Sequence, residues 1–247
     1  MAGLRRLTLA DLDDGLALST AAGWNQTSED WRRVLTLPSV EAWGIELEGR
    51  IVSTTTAIRY GNALAWIGMV LTAESHRGQG LASTLMSAAL DSVSNCALVK
   101  LDATAQGAPL YRRFGFHDEG AVVRWVGRPR EAFSAALSGS PGPDAFAADR
   151  SFLLASLGEP VCLEDGSFAY GREGRTLPFF GPCVGSQESG EQLLSWFAGC
   201  MDGDFVLDRR GPAPAGFRPT RELMRMYRGK PRVTSEREFA FAGFEFG

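Results

Sequence analysis

The sequence is poor in metal-binding chemistry. It has 2 histidines and 4 cysteines among 247 residues. Cys96, Cys162, Cys183 and Cys200 are scattered without a CxxC pair, and His76 and His117 have no partner at ligand spacing, so no metal site is expected. Cys183, inside the apolar run Phe179 to Val184, and Cys200, closing an apolar helical pattern, read as buried reduced thiols. Nothing local supports a Cys-His nucleophile. A charge excess of one sign is also missing: Lys+Arg 25 against Asp+Glu 29 leaves a net −4, which advertises no nucleic-acid partner. Long apolar runs are absent. The stretches Ala63 to Leu71 and Ala97 to Leu101 are far too short to cross a bilayer. The opening Met1 to Arg6, followed by the acidic Asp11 to Asp14 cluster, is neither a signal h-region nor a transit peptide, so a cytoplasmic setting is expected. What remains, 45% hydrophobic and 22% charged, is an ordinary folded composition, long enough for one or two domains.

The apolar period changes along the chain. Leu4, Leu7 and Leu9 suggest a strand, and Leu12, Leu16 and Leu18 a helix broken at Gly23. Thr27 or Ser28 looks like the cap of a short helix carrying Trp31, Val34 and Leu35, which Pro38 ends. Glu41 to Glu46, Arg50 to Ile58 and Ala63 to Leu71 read as an antiparallel meander turning at Glu48-Gly49 and Gly61-Asn62. Helical spacing follows from Leu81 to about Asn95, then a buried strand Ala97 to Ala103, a short helix Ala108 to Phe114 and a strand Phe116 to Val126. This order predicts an α+β fold, a mixed, mostly antiparallel twisted sheet flanked by helices, and not a doubly wound repeat. Arg128-Pro129-Arg130 and Ser138 to Asp144 concentrate linker residues around a helical segment Glu131 to Leu137. The expected division is residues 1–139 and 140–247.

The second half echoes the landmarks of the first in the same order. Leu47 to Arg59 is matched by Leu163 to Arg172, Trp66 to Val70 by Phe179 to Val184, and the next helix by Glu191 to Phe197. The strand ending at Asp102 is matched by Phe205 to Asp208, and Gly115 to Gly127 by Gly216 to Gly229. Between Val184 and Glu191 there is no counterpart of Arg77-Gly78-Gln79-Gly80, so the second copy is expected to be smaller and degenerate.

That loop, Arg77-Gly78-Gln79-Gly80-Leu81-Ala82, is the strongest chemical signal. It follows a buried strand and opens a helix. Glycines let successive N–H groups converge there, and the helix dipole adds partial positive charge toward a phosphate. The Lys of GxxxxGK[ST] is absent, and the βαβ setting of GxGxxG does not apply. The sequence resembles the GNAT superfamily of acyl-CoA-dependent N-acyltransferases, through Arg77, Gly80 and Ala82 of the loop and through Leu110-Tyr111-Arg112-Arg113-Phe114-Gly115-Phe116, over roughly residues 4–127. Asp149-Arg150-Ser151, Gly216 to Thr220 and Arg225 to Gly229 are similar to a tandem subgroup whose second GNAT domain is degenerate.

The resemblance implies a GNAT fold duplicated in a smaller C-terminal GNAT-like domain, with acetyl-CoA as acyl donor and no metal. Its pantetheine arm would lie along Met69, Val70 and Leu71, and its pyrophosphate on the N–H groups around Arg77, Gly78, Gln79, Gly80, Leu81 and Ala82. Tyr111 matches the family's general acid and thiol-contacting position; helix packing is the alternative. Relatives often carry a catalytic carboxylate on the fourth strand, yet Ala63 to Thr72 contains none. Asp102 is the candidate base or amine anchor, with a turn-capping role as the alternative. Trp24 and Asn25 fall where the family shapes its acceptor pocket, and a core Trp competes for that reading. His76 is expected at solvent or near the adenosine phosphate, His117 on a surface hairpin, and Glu74 in a solvated loop. Arg218, Arg221, Arg225 and Arg228 read as alternating solvated charges rather than an anion clamp. The implied activity is transfer of acetyl to a primary amine of a small molecule. A non-catalytic acyl-CoA-binding sensor, or an enzyme acting on protein N-termini or lysines, are the alternatives.

Overall fold

The computed structural model describes residues 3–130, 137–231 and 235–247. The first half contains β1 (Gly3–Arg6), α1 (Leu12–Ala21), α2 (Ser28–Thr36), β2 (Val40–Leu47), β3 (Arg50–Tyr60) and β4 (Leu64–Thr72). It continues through α3 (Leu81–Ser92), β5 (Leu98–Ala103), α4 (Ala108–Arg113) and β6 (His117–Gly127). The second half contains α5 (Ser151–Ser156), β7 (Val161–Cys162), β8 (Phe168–Arg172), β9 (Phe179–Val184), α6 (Gln187–Gly199), β10 (Phe205–Arg209), β11 (Phe217–Gly229) and β12 (Glu238–Ala240). The α+β class follows as expected, a twisted open sheet flanked by helices.

Local chemistry explains the early elements. Thr27 caps α2 in a reciprocal box with Asp30, the two side chains each accepting from the other's backbone N–H. The helix then buries Trp31 and Val34, and the Trp31 indole N–H donates to Ser19 Oγ at 2.9 Å, tying α2 to α1. At the β2–β3 hairpin Glu48 and Gly49 both take positive φ, 51° and 76°, the twist that a two-residue turn between right-twisted strands requires. Leu9 lies in a short 3-10 turn after β1 instead of in the strand, because Thr8 and Asp11 form their own capping box there.

Two irregularities in the sheet position the site. β4 and β5 run parallel but pair only at Ala65–Val99 and Trp66–Lys100. Beyond Trp66 they part, and the β3–β4 register slips between Thr54 and Thr56, opposite Met69, whose φ is 49°. A bulge of this kind bends a strand and frees part of its edge. The second irregularity is an exchange between the halves. β9 and β10 are parallel and joined through α6, as β4 and β5 are through α3. Yet β11 lies antiparallel between β5 and β6, while β6 pairs onward with β10. Each half completes its sheet with the long last strand of the other, giving one continuous order β1-β2-β3-β4-β5-β11-β6-β10-β9-β8-β7, with β12 on β9.

Buried ion pairs sit on these crossings. Arg124 of β6 donates to both oxygens of Asp208 on β10 at 2.7 Å, and Arg225 of β11 to both oxygens of Asp102 on β5 at 2.8 Å. An apolar cluster also spans the halves, joining Trp31, Tyr60 and Trp66 to Leu153 and Phe246. Cys183 is buried, but Cys200, at the C-cap of α6, is exposed because the helix ends before that position turns inward. The helix expected over Glu131 to Leu137 lies, apart from Leu137, outside the described residues. Among the described residues no helix is long and apolar enough to cross a membrane.

The exchange predicts how a truncation behaves. A chain cut after residue 139 loses β11, leaving the edges of β5 and β6 unpaired and Asp102 buried without its guanidinium. Such a fragment is expected to aggregate or to melt without a cooperative transition, as read by light scattering and thermal denaturation. A monomeric, cooperatively melting fragment would contradict this.

Candidate active site

Where β4 and β5 part, a cleft of about 620 Å³ opens, bounded by Val70 and Leu71 of β4, the loop ahead of α3, and Leu110 and Tyr111 of α4. The loop is shaped by glycine. Gly78 and Gly80 have φ of 76° and 81°, and a Cβ at either would meet no atom within 4 Å. The conformation, not crowding, therefore asks for glycine there, and the space in front stays open. Gly80 caps α3 with its carbonyl accepting from Ser83 N and Thr84 N, so the amides of Leu81 and Ala82 head the helix without an intrahelical acceptor. Arg77, Gly78, Gly80, Leu81 and Ala82 all line the cleft, with the exposed Arg77 guanidinium 3.4 Å from Thr72 O; Gln79 does not line it. An anion fits this cradle.

Tyr111 is buried on α4 with its ring edge-on to Phe116. Burial pushes its hydroxyl pKa up, which keeps the proton in place at neutral pH. It stands at a junction. A second, smaller pocket of about 60 Å³ shares Trp24, Val70, Thr104, Tyr111 and Arg221 with the cleft, and adds Gln26, Met69, Asp102, Phe244 and Glu245.

Glu245 reaches this pocket from a segment that the sequence reading did not single out. Tyr60 OH donates to Phe246 O at 2.6 Å and Trp66 Nε1 to Phe244 O at 3.0 Å, pinning residues 241–247 against β3 and β4. A Cβ at Gly68 would stand 2.8 Å from Glu245 O, so glycine at the β4 bulge is what allows the close approach. The buried Glu245 carboxylate accepts from Arg172 Nη2 on one oxygen and Gln26 Nε2 on the other, both at 2.9 Å. Its pKa is raised above the ordinary glutamate value: burial dominates, Arg172 opposes it, and Asp30 adds to it. Gln26 Oε1, also buried, has no hydrogen-bond partner among the described residues.

Other expected residues land differently. Asp102 lines the small pocket, but both its oxygens are held by Arg225, so its lone pairs serve an ion pair; as a base it is corrected to a partner of Arg225. Asn25 lines neither the cleft nor the small pocket. Its Nδ2 donates to Leu177 O at 2.8 Å and its Oδ1 accepts from Thr176 Oγ1 at 2.6 Å and Thr176 N at 2.8 Å, clamping the loop before β9 to the loop before α2. Trp24 lines both pockets. Along β11 the expected alternation of solvated charges holds for Arg218 and Arg228, which are exposed, but not for its neighbours. Arg225 is 2% exposed. Arg221 is half-buried, its guanidinium 5.1 Å from the Trp24 ring and 5.9 Å from that of Phe244. His76 sits at the cleft rim with Nδ1 2.9 Å from Ser75 Oγ, and His117 is exposed on β6.

Comparison with known proteins agrees with this geometry. Residues 38–118 match the model of the acetyltransferase (GNAT) domain, a span running from β2 through the loop and Tyr111. The chain is 25% identical over 217 residues to the uncharacterized N-acetyltransferase YitH of Bacillus subtilis (strain 168), covering 78% of this chain and 77% of that one. In fold it is similar to a Pyrococcus horikoshii chain described as an acetyltransferase, at a TM-score of 0.84 and 18% identity over 100% of this chain and 96% of that one. A GCN5-related N-acetyltransferase from Kribbella flavida aligns at a TM-score of 0.56 and 17% identity, over 92% of this chain and 72% of that one. A parted β4–β5 pair, a glycine loop heading α3 and the match of residues 38–118 to the acetyltransferase (GNAT) domain model together support a GNAT-type acyltransferase.

Proposed function

We propose that the chain transfers an acetyl group from acetyl-CoA to the primary amine of a small molecule, by direct attack with no covalent enzyme intermediate. One observation carries the reading: the freed β4 edge, the anion cradle and the Tyr111 hydroxyl border one cleft, and that cleft meets a pocket holding a buried carboxylate. Acetyl-CoA would supply an activated thioester. The amides of Gly78 to Ala82 would hold its pyrophosphate, and the unpaired edge at Met69, Val70 and Leu71 would hydrogen-bond its pantetheine arm as an added strand. A backbone N–H near Val70 would stabilise negative charge developing on the carbonyl oxygen. Tyr111, kept protonated by burial, would donate to the departing thiolate.

The missing base has a candidate in Glu245. It borders the same pocket as Met69 and Val70, and its raised pKa suits it to accept a proton from the ammonium form of an acceptor, directly or through water. The reading assigns residues 1–139 to the catalytic unit and 140–247 to a degenerate second copy. In the second half, the helix matching α3 is capped by its own residues: Ser186 Oγ accepts from Ser189 N, and the Asp165 carboxylate accepts from Ser189 Oγ. Oxygen atoms already occupy the position a phosphate would take, and Asp165 would repel it. One acetyl-CoA per chain is therefore expected.

Three measurements test these roles. Gly80→Glu places a carboxylate in the cradle at a left-handed φ and should weaken acetyl-CoA binding at least about tenfold by calorimetry, where the parent shows one site; unchanged affinity would remove the donor assignment. Tyr111→Phe should lower kcat by about 10²-fold, the lower range for a lost general acid, with acetyl-CoA affinity within about twofold of the parent. Equal turnover would reduce Tyr111 to packing. For Glu245 the sign follows from its direction of shift: the working base is ionised, burial raises its pKa, and kcat should fall as pH drops through a limb above the ordinary glutamate value near ~4.3. Glu245→Gln should lower kcat and flatten that limb; a variant with the parental pH profile would exclude Glu245 as the base.

A further inference from the structure

Around the acceptor pocket the charges nearly cancel. Arg225 is neutralised by Asp102, Arg124 by Asp208, and Arg172 bridges Asp30 and Glu245 at 3.2 and 2.9 Å. Arg33 closes the same cluster on Asp30 at 3.3 Å. Arg221 is the exception: among the described residues no carboxylate, hydroxyl or carbonyl accepts from its guanidinium, which is near the Trp24 and Phe244 rings, and the residue lines both the cleft and the small pocket. Leaving a cation partly desolvated and unpaired is costly. Burial and the neighbouring Arg124 lower its pKa to about 10, so it stays charged at neutral pH and yet would gain from an anion.

At the other side of the same pocket the chemistry suits a cation. Glu245 offers its carboxylate, and Gln26 offers an Oε1 that is buried and unpartnered. Resting on the acetyl-transfer reading, we infer that the acceptor is a small amino carboxylate: its ammonium is received by Glu245 and Gln26 Oε1, and its carboxylate pairs with Arg221. A singly charged group matches the Arg221 guanidinium, uncompensated among the described residues, whose planar fork can hold a carboxylate through two parallel hydrogen bonds. A phosphate would bring a second negative charge for which the neighbouring arginines, already paired, have no free partner. Size points the same way: the small pocket, about 60 Å³ against about 620 Å³ for the cleft, suits the amine end of a short molecule whose carboxylate stays at the pocket mouth. A peptide N-terminus has an amide where this site asks for a carboxylate.

The test uses the full chain with CoA at saturation and a panel of α-amino acids and two- to five-carbon ω-amino acids, each beside its own carboxamide. Binding is read by calorimetry, and thiol release from acetyl-CoA is followed in parallel. At least one acid should bind about tenfold or more tightly than its amide, the scale of a hydrogen-bonded charge pair. Arg221→Gln should bring that ratio to within about twofold of one. The variant should melt no lower than the parent, since it removes an unpaired cation. If no acid outbinds its amide, or if Arg221→Gln weakens both forms alike or leaves the preference intact, the carboxylate site is overturned. Preferential acid binding without thiol release would leave the site standing and refute acetyl transfer instead, whereas loss of acetyl-CoA binding alone would count only against the donor assignment.

Discussion

β5 finds its antiparallel partner in β11, and the pair is fixed by Arg225 and Asp102, 123 residues apart in sequence. Much of the site follows from this crossing. The parting of β4 and β5 creates a gap, and β11 closes the far side of β5 so that the gap stays a cleft with one open edge. The register that aligns Arg225 with Asp102 places Arg221 four residues along the same strand, opposite Arg124 on β6. A buried charge pair stabilises little relative to apolar packing, but a mispaired one is strongly unfavourable, so such pairs discriminate against slipped registers. Arg225–Asp102 and Arg124–Asp208 are two such constraints on a sheet whose strands alternate between the halves.

Once those pairs are made, electrostatics separates residues of the same type into different roles. Arg225 and Arg221 lie on one strand, yet the first is sealed against a carboxylate and the second faces an open pocket with aromatic rings on its flanks. Asp102 and Glu245 divide likewise. Both border the small pocket, but Asp102 meets a guanidinium with both oxygens, whereas Glu245 meets one guanidinium and one amide under strong desolvation, and its pKa rises. A carboxylate held as a bidentate ion pair is a poor proton acceptor, and one pushed toward its neutral form by burial is a better one.

The sequence was informative where chemistry is local. The meander, the glycine loop and Tyr111 sit on contiguous stretches whose period and turn residues are readable one after another, and the strands and helices fall within a few residues of expectation. Reading failed where a residue's role depends on what a distant segment brings. Asn25 looked like a pocket residue because the α1–α2 loop is near the site, but the loop before β9 takes up all its hydrogen-bonding atoms. Asp102 was read as a base, amine anchor or turn cap from its place at the end of β5; its partner, Arg225, comes from β11. Arg221 and Arg225 were read as alternating solvated charges on a strand-like segment, but β11 is internal to the sheet. Glu245 had no motif at all. The only sequence signal was the apolar run with Phe239, Phe241, Phe244 and Phe246; Phe246 packs with Trp31, Tyr60 and Trp66 of the first half and brings the neighbouring glutamate with it.

A second half with no counterpart of the Arg77-Gly78-Gln79-Gly80 loop could persist only as packing, and the residues it contributes argue for more. Packing alone would favour apolar side chains facing the first half, as at Leu153 and Phe246. Instead the second half delivers a desolvated glutamate, and an arginine with no acceptor among the described residues, to a pocket lined also by Met69, Val70 and Tyr111 of the first half. Both groups are unfavourable to fold around, and neither is needed to close the sheet. In proteins, groups that oppose stability in this way concentrate where binding or proton transfer requires them. The exchange of β6 and β11 makes this arrangement rigid: a wall held by strand pairing and buried ion pairs cannot drift from the β4 edge without breaking the sheet. Residues from the two halves can then face each other across the pocket at a fixed spacing, as an acceptor held at both ends would require.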